Sequence, residues 1–573
     1  MTIDLALGSP SAYLDGISLA DRRRSGTIYT PEDLARFILD QAGYTAAGPS
    51  FGDAPVLDPA CGAGVFLCEV LRRVAAQFGG ELPLVGARRR ALLGFANRNI
   101  YGIEIDPFAR ALALQALRAQ VQALAPGPLP TDFLAANIVE NDFLVGDRVL
   151  QLRPVRRGGF AYVVGNPPYV AATRLDARYK ALLRTLFATA FGRLDLYTLF
   201  FERSLQLLRP EGVLAFITPD KFLASESSAR LRTFLVTHGS VRSIARFRSH
   251  KVFPDAAVVP CVTVIDRRTT DAAVRVLSCQ TRPGAGVTII AESSTPRAAL
   301  GRAAWHFRSP DLLTIVDRLR ERCPSLESLA LRISAGPATG RDDVYVRPRV
   351  ELEDVEQELV RPAIRGRDIT TFNIADPDLR ILLPFDFSSG EPHLVRLDDY
   401  PRARRYLERH RQVLQKRHCV RVWGKTWFDL HDQPATDITH APKIVVPDLA
   451  EHCRFAVDHG TYFPLHSAYY IALKDAKQID YVAAVLNSKV AEFTVRLLAP
   501  IAKDGFSRFR RQYLATMPVP EGDASSRKEI VRAARERRLA DVDDMACRLF
   551  GVTSGELRRV NTFLGALVSG AAE

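Results

Sequence analysis

Short apolar runs alternate with amphipathic stretches along the first half of the chain. Val56 to Leu57, Ile100 to Ile105, Phe160 to Val164, Gly212 to Ile217, Val241 to Phe247 and Val258 to Ile265 carry the runs. They are apolar and β-branched enough for strands buried on both faces. Between them lie stretches with helical spacing. Leu34, Phe37, Ile38 and Leu39 line one side of a helix predicted from about Pro31 to Gln41, where Thr30 can cap, Pro31 suits the first turn, and Glu32 suits the positive end of the helix dipole. A second amphipathic helix is predicted from Asp195 to about Leu208. This alternation, sustained to roughly residue 280, predicts one doubly wound α/β domain with a Rossmann-like sheet.

The polar residues gather where the apolar runs stop. The first run opens into Asp58 Pro59 Ala60 Cys61 Gly62 Ala63 Gly64, whose glycines allow a tight turn and close approach to a ligand. The run from Ile100 ends in Glu104 Ile105 Asp106 Pro107, and a carboxylate at such a position can accept from both hydroxyls of a ribose. Strand, glycine turn, helix, strand and acid make the nucleoside-binding half of such a sheet. A third strand is expected to carry Asn141 Asp142 Phe143 Leu144. Asp142 there either accepts from an adenine amine, with Phe143 packing on the ring, or merely caps a turn.

The run from Phe160 stops abruptly at Gly165 Asn166 Pro167 Pro168 Tyr169. Two adjacent prolines have fixed φ and no backbone donors, so the Asn166 amide and the proline carbonyls are held at the strand's carboxyl end. A rigid pair of acceptors beside an aromatic ring suits a flat heterocycle with an exocyclic amine. Standing alone, the same residues would be a proline-terminated strand entering a surface loop.

Composition narrows the class. A chain of 573 residues exceeds one ordinary core, so two or three domains are expected. No apolar run is long enough to span a bilayer and the N-terminus lacks a signal-peptide pattern, so a cytoplasmic protein is expected. The eight cysteines are scattered without zinc or redox spacing, predicting reduced thiols and no metal. A net charge of +13 favours a polyanionic partner if the cations cluster. They do so in Arg402, Arg404, Arg405, Arg409, Arg411, Lys416, Arg417, Arg421 and Lys425, interleaved with Tyr406, Trp423, Trp427 and Phe428. Such a segment is either a phosphate-contacting surface or a solvated basic helix.

In their order, these pieces resemble the gamma-class N6-adenine DNA methyltransferases, the TaqI-like and type IIG modification enzymes. Gly26 to Pro31, Asp58 to Leu67, Gly102 to Pro107, Asn141 to Leu144, Asn166 to Tyr169 and Val252 to Asp255 match six motifs of that family in sequence order. The resemblance implies a cofactor, S-adenosyl-L-methionine, bound by Ile28, Thr30, Asp58, Ala60, Gly62, Glu104, Ile105, Asp142 and Phe143. It implies that Asn166 and Pro167 accept from the N6 amine of a flipped adenine, with Tyr169 stacking on one face and Phe253 packing from the other side. Segments around Trp427 to Leu430, Lys443 to Pro447, Ser467 to Tyr470, Leu486 to Ser488 and Phe506 to Pro520 resemble the target-recognition domain of TaqI-like enzymes. Arg404, Arg405, Arg417 and Trp427 are its expected DNA contacts.

The expected layout is an extension over 1–24, a catalytic domain over 25–285, a connecting segment over 286–330, a mixed α/β recognition domain over 331–522 and a helical segment over 523–573. Expected partners are double-stranded DNA and a separate cognate endonuclease or defence-system subunit, with the enzyme itself a monomer. About 25 residues ahead of the first motif are too few for a nuclease domain of typical size. An RNA or protein-glutamine methyltransferase also fits an Asn-Pro-Pro-Tyr pocket, although the large basic second half disfavours the glutamine enzymes. A noncatalytic DNA-binding specificity subunit is disfavoured by the intact Asn166, Tyr169, Glu104 and Asp142. Cys261 follows Pro260 as a cytosine C5 nucleophile would, but it lies in a β-branched run and lacks the rest of that motif.

Overall fold

The computed structural model describes residues 30–45, 54–78, 83–247, 252–253, 259–267, 272–282, 286–305, 307, 310–499 and 506–568. Ile28, the extension over 1–24 and the Pro254 to Asp255 end of the last motif lie outside them. The chain divides into two units, residues 1–307 and 308–573.

The first unit is built on one sheet of nine strands. In chain order they are β1 (Val56–Asp58), β2 (Ile100–Glu104), β3 (Ile138–Glu140), β4 (Phe160–Gly165), β5 (Leu208–Pro219), β6 (Ser240–Phe247), β7 (Pro260–Asp266), β8 (Ala273–Arg282) and β9 (Gly286–Pro296). Their order across the sheet is β3-β2-β1-β4-β5-β7-β6-β8-β9. The five strands from β3 to β5 run parallel, and β7 is antiparallel to both its neighbours. The chain reverses its direction of travel across the sheet between β1 and β4, which makes their carboxyl ends the natural ligand crevice.

Helices cover both faces, as the doubly wound expectation requires. The helices are α1 (Glu32–Ala42), α2 (Val65–Gln77), α3 (Gly86–Asn99), α4 (Pro107–Leu124), α5 (Ala177–Leu186), α6 (Leu196–Leu207) and α7 (Ala229–His238). The apolar side anticipated for α1 is buried, and its chain end turns on Gly43 at φ +77. Thr30, however, does not cap α1: Pro31 holds that place, and no side chain bonds the first amides. Arg73 of α2 clamps α1 from below, its guanidinium meeting Glu69, Asp40 and the carbonyl of Arg36.

Two expected boundaries are corrected. Gly286 to Pro296 is no connector: it is the edge strand β9, paired antiparallel with β8. Its side chains are mostly exposed, so no apolar alternation marks it, and backbone pairing alone makes it a strand. The third strand stops at Glu140, leaving Asn141 to Leu144 in the turn beyond it.

The second unit contains two four-stranded sheets. One is formed by Ala330–Ala335, Ala468–Leu473, Lys443–Pro447 and Ala456–Asp458, all antiparallel. Its core continues into helices Pro310–Arg322, Ile479–Leu486 and Lys489–Leu498 and into the C-terminal helices Ala524–Arg535, Leu539–Phe550 and Ser554–Val568. The helical segment expected as a separate piece after residue 522 thus shares one core with the domain expected over 331–522, and Arg318 pairs with Glu556 at 2.7 Å to join its ends. Its second sheet, with the basic segment, encloses a core of its own.

Candidate functional site

The site is a row of strand ends. Asp58 closes β1 and is 1% exposed, and its Oδ1 accepts from the Ala60 amide at 3.1 Å. Gly62 and Gly64 then take positive φ, which lets the chain turn straight into α2. On the neighbouring strand, Glu104 accepts from three amides: Gly62 at 2.8 Å on Oε2, and Ile105 and Asp106 at 3.0 Å on Oε1. The glycine turn and the acid, 42 residues apart in sequence, are therefore hydrogen-bonded to each other.

Burial pushes the Asp58 carboxyl up to about 8, against the Ala60 amide and with help from Glu104. It also raises Glu104 above the usual carboxylate range, though its three amides resist. Two adjacent carboxyls, one buried and one half-buried, with no cationic side chain paired to either among the described residues, favour a cationic, hydroxyl-bearing ligand. Ile105 stands at the same rim, 66% exposed, an apolar surface suited to a ring. This donor set fits S-adenosyl-L-methionine, which brings a sulfonium, an ammonium and a ribose.

Beyond β3, Asp142 realises the turn-capping alternative on one oxygen. Oδ1 accepts from the amides of Leu144 at 2.8 Å and Val145 at 3.4 Å, while Oδ2 accepts from the Tyr179 hydroxyl at 2.8 Å. A carboxylate oxygen has room for a second donor, so Oδ2 remains usable by an adenine amine. The Phe143 ring is 3% exposed, packed 5.0 Å from Phe200 and under the Arg203 guanidinium.

Beside β1, strand β4 delivers Asn166 to Tyr169. A Cβ on Gly165 would meet Asp58 Oδ1 at 2.7 Å, so the two motifs touch through a position that only glycine fills. Asn166 Nδ2 donates to Thr30 Oγ1 at 3.1 Å. That bond orients the amide and explains why the Thr30 hydroxyl is not spent on its own helix. Tyr169 donates to the Ile217 carbonyl at 3.3 Å, at the end of β5. Its ring lies 6.3 Å from Phe253, interplanar angle 73°, and 6.2 Å from Tyr197. Burial drives the Tyr169 hydroxyl well above its usual range, so it stays neutral. Cys261 is wholly buried within β7, and burial raises its thiol to about 12, which disarms it as a nucleophile.

Thr30, Asp58, Ala60, Gly62, Glu104, Ile105, Asp142, Asn166, Pro167, Tyr169 and Phe253 thus belong to one unit and, where contacts are given above, to one crevice. Sequence reasoning missed Tyr179 and Tyr197. Tyr179 lies in a cation-rich stretch that reads as a solvated loop, and Tyr197 in an apolar helix, so neither carries a local signal.

In the second unit, Arg404 and Arg405 are exposed, and Arg404 pairs with Asp398 across the surface. Trp427 is half-buried under the Arg411 guanidinium. Arg417 is a correction: it is 6% exposed and donates to the carbonyls of Leu414, Thr339 and Trp427 at 2.8–3.1 Å. Its donors are consumed internally, so it is a structural pin and not a DNA contact.

Residues 98–253 match the model of the Eco57I restriction-modification methylase, and residues 361–519 that of the TaqI-like C-terminal specificity domain. The Type II methyltransferase M.PaeR7I of Pseudomonas aeruginosa is 28% identical over 93% of this chain and 92% of its own. The Type II methyltransferase M.BstVI of Geobacillus stearothermophilus is 27% identical over 95% of this chain and 99% of its own. Among solved structures, the Type IIL restriction-modification enzyme MmeI in complex with DNA superposes with a TM-score of 0.68 at 13% identity, over 98% of this chain and 81% of that one. At that identity the likeness is one of fold.

Proposed function

We propose that this chain, a DNA methyltransferase of the restriction-modification type with S-adenosyl-L-methionine as its cofactor, methylates N6 of a flipped-out adenine at a specific site in duplex DNA. The observation that carries the adenine assignment is the Asn166 amide, anchored through Nδ2 by Thr30 at the end of β4 so that its oxygen serves as the acceptor. Asn166 Oδ1 and the Pro167 carbonyl together draw on both protons of an exocyclic amine, which raises electron density on its nitrogen. Tyr169 supplies a face for the base, and Phe253, which meets the Tyr169 ring edge-on, borders it.

The cofactor supplies a methyl group already electrophilic on sulfur, so the protein needs no covalent intermediate. Glu104 would hold the ribose, Asp142 the adenine amine, and Asp58 the positive end. The work left to the chain is alignment and exclusion of water. Unpairing the base costs a few kcal/mol, offset by stacking and amine contacts in the pocket. The second unit reads the sequence, and a separate endonuclease or phage-defence subunit is the partner that gives the mark its meaning in the cytoplasm.

The test is transfer of tritium from labelled S-adenosyl-L-methionine to plasmid DNA, followed by nucleoside digestion. Label in N6-methyladenine is expected, lost in Asn166→Ala. Folded, cofactor-binding protein that labels no DNA overturns the reading, and label in cytosine overturns the base assignment.

A further inference from the structure

Among the exposed large apolar residues described in the second unit, two stand side by side in one loop. Val422 and Trp423 are 64% and 53% exposed at the tip of a tight loop. The loop's base is stiff. Below the tip, Cys419 is wholly buried, the Arg417 guanidinium holds three carbonyls, and the Lys425 amide closes back on the Cys419 carbonyl at 3.1 Å. The Lys425 ammonium ties the far side to the Leu430 carbonyl at 3.0 Å. Gly424, at φ +69, turns the chain with open space where a Cβ would point. The indole is steadied by two imidazoles, His418 at 5.4 Å and His431 at 4.7 Å between ring centroids.

A tryptophan normally buries its large apolar surface. Here a braced loop holds it outward, in the domain that matches a specificity model. The occupant follows from charge. Between His410 and Phe428 the sequence places Arg411, Lys416, Arg417, Arg421 and Lys425 and no Asp or Glu. Arg411, Lys416 and Arg421 are exposed. Arg411 pairs with Glu408 and Lys425 with Asp429, so Lys416 and Arg421 carry the free charge among the described residues, and an apolar tip on such a cation-rich segment matches a polyanion with flat apolar faces inside it, which describes the stacked bases of DNA.

We infer that Val422 and Trp423 form a wedge that enters a base step of duplex DNA, with the indole stacking on an exposed base face. The inference rests on the methyltransferase reading above and assigns the stacking role to Trp423 in place of Trp427, whose ring is already covered by Arg411. Such a wedge lets the protein sense how readily a step unstacks, a property of sequence that no hydrogen bond reports.

The experiment uses the full chain and a short duplex carrying the motif methylated in cells that express it. Trp423→Ala is expected to lose about tenfold or more in affinity, the scale of one base–aromatic stack. Trp423→Phe is expected to stay within about threefold of wild type, because a ring remains to stack. The salt dependence of binding should be unchanged in both, because no charge is removed. Saturating duplex should also quench tryptophan emission in the wild type and leave Trp423→Ala without that quench. If Trp423→Ala binds and methylates as the wild type does, or the quench persists in it, the wedge is overturned while methylation stands. If the wild type labels no DNA at all, both readings fall together.

Discussion

At the scale of single residues, the crevice is governed by carboxyls kept from water. Asp58, raised by burial to about 8, is protonated at neutral pH in the free protein. A cationic ligand favours its ionised form, so binding of S-adenosyl-L-methionine should expel a proton. Affinity should therefore climb as pH rises toward about 8 and level off above it. Calorimetry in buffers of different ionisation heat measures the release directly; Asp58→Asn should abolish this component, and unchanged release in that variant would clear Asp58 of the role. Thr30→Val removes the acceptor that orients Asn166. A lost hydrogen bond of about 1 kcal/mol predicts a kcat several-fold lower with cofactor affinity nearly kept. A fall in cofactor affinity alone would return Thr30 to the cofactor pocket. Asp58, Glu104 and Asn166 stand out in the sequence because each ends or directly follows an apolar run. Arg417 does not, since a buried arginine and a phosphate-binding one look alike in a basic stretch, and only its three carbonyl partners separate them.

At the scale of elements, Arg73 ties α1 to α2 beside the buried apolar face of α1. That guanidinium is 8% exposed and joins α2 to α1 through Glu69, Asp40 and the Arg36 carbonyl. Glu69 keeps Arg72 at 3.2 Å and Asp40 is exposed, so Arg73→Met chiefly strips the carbonyls of Tyr44 and Arg36 of their donor and should cost about 1–2 kcal/mol. Thermal unfolding measures it, and a melting point equal to the wild type's would show that packing alone holds α1. Because α1 follows Thr30 directly, the same variant should lower kcat as Thr30→Val does. Period and turn chemistry made β1, β2, β4 and the apolar part of β5 legible, where nearly every side chain is buried. They failed at β9, an edge strand with exposed side chains, where the forces that make the strand are backbone bonds invisible to hydropathy.

At the scale of the molecule, the proposed function puts chemistry in the first unit and sequence reading in the second. Asn166→Ala should therefore keep its affinity for the target duplex while losing methylation. Reversing Arg404 and Arg405 to Glu should reduce the salt slope of binding by about two, whereas Arg417→Ala should lower the melting point and leave the slope alone. A slope untouched by the double reversal would make that face a solvated surface. The excess of +13 charges hinted at such a division, but the fusion of the C-terminal helices with the recognition core was hidden, because residues 310–322 and 524–568 meet only in three dimensions. The contact of Gly165 with Asp58 reaches furthest. Methyl donor and acceptor would be carried by adjacent parallel strands, whose separation is a lattice constant of the sheet, about 4.8 Å. A reaction so mounted borrows its tolerance from the stiffest ruler in the protein, and leaves lateness or error in each cycle to the DNA: to how fast one base leaves its stack, rather than how well a lid shuts.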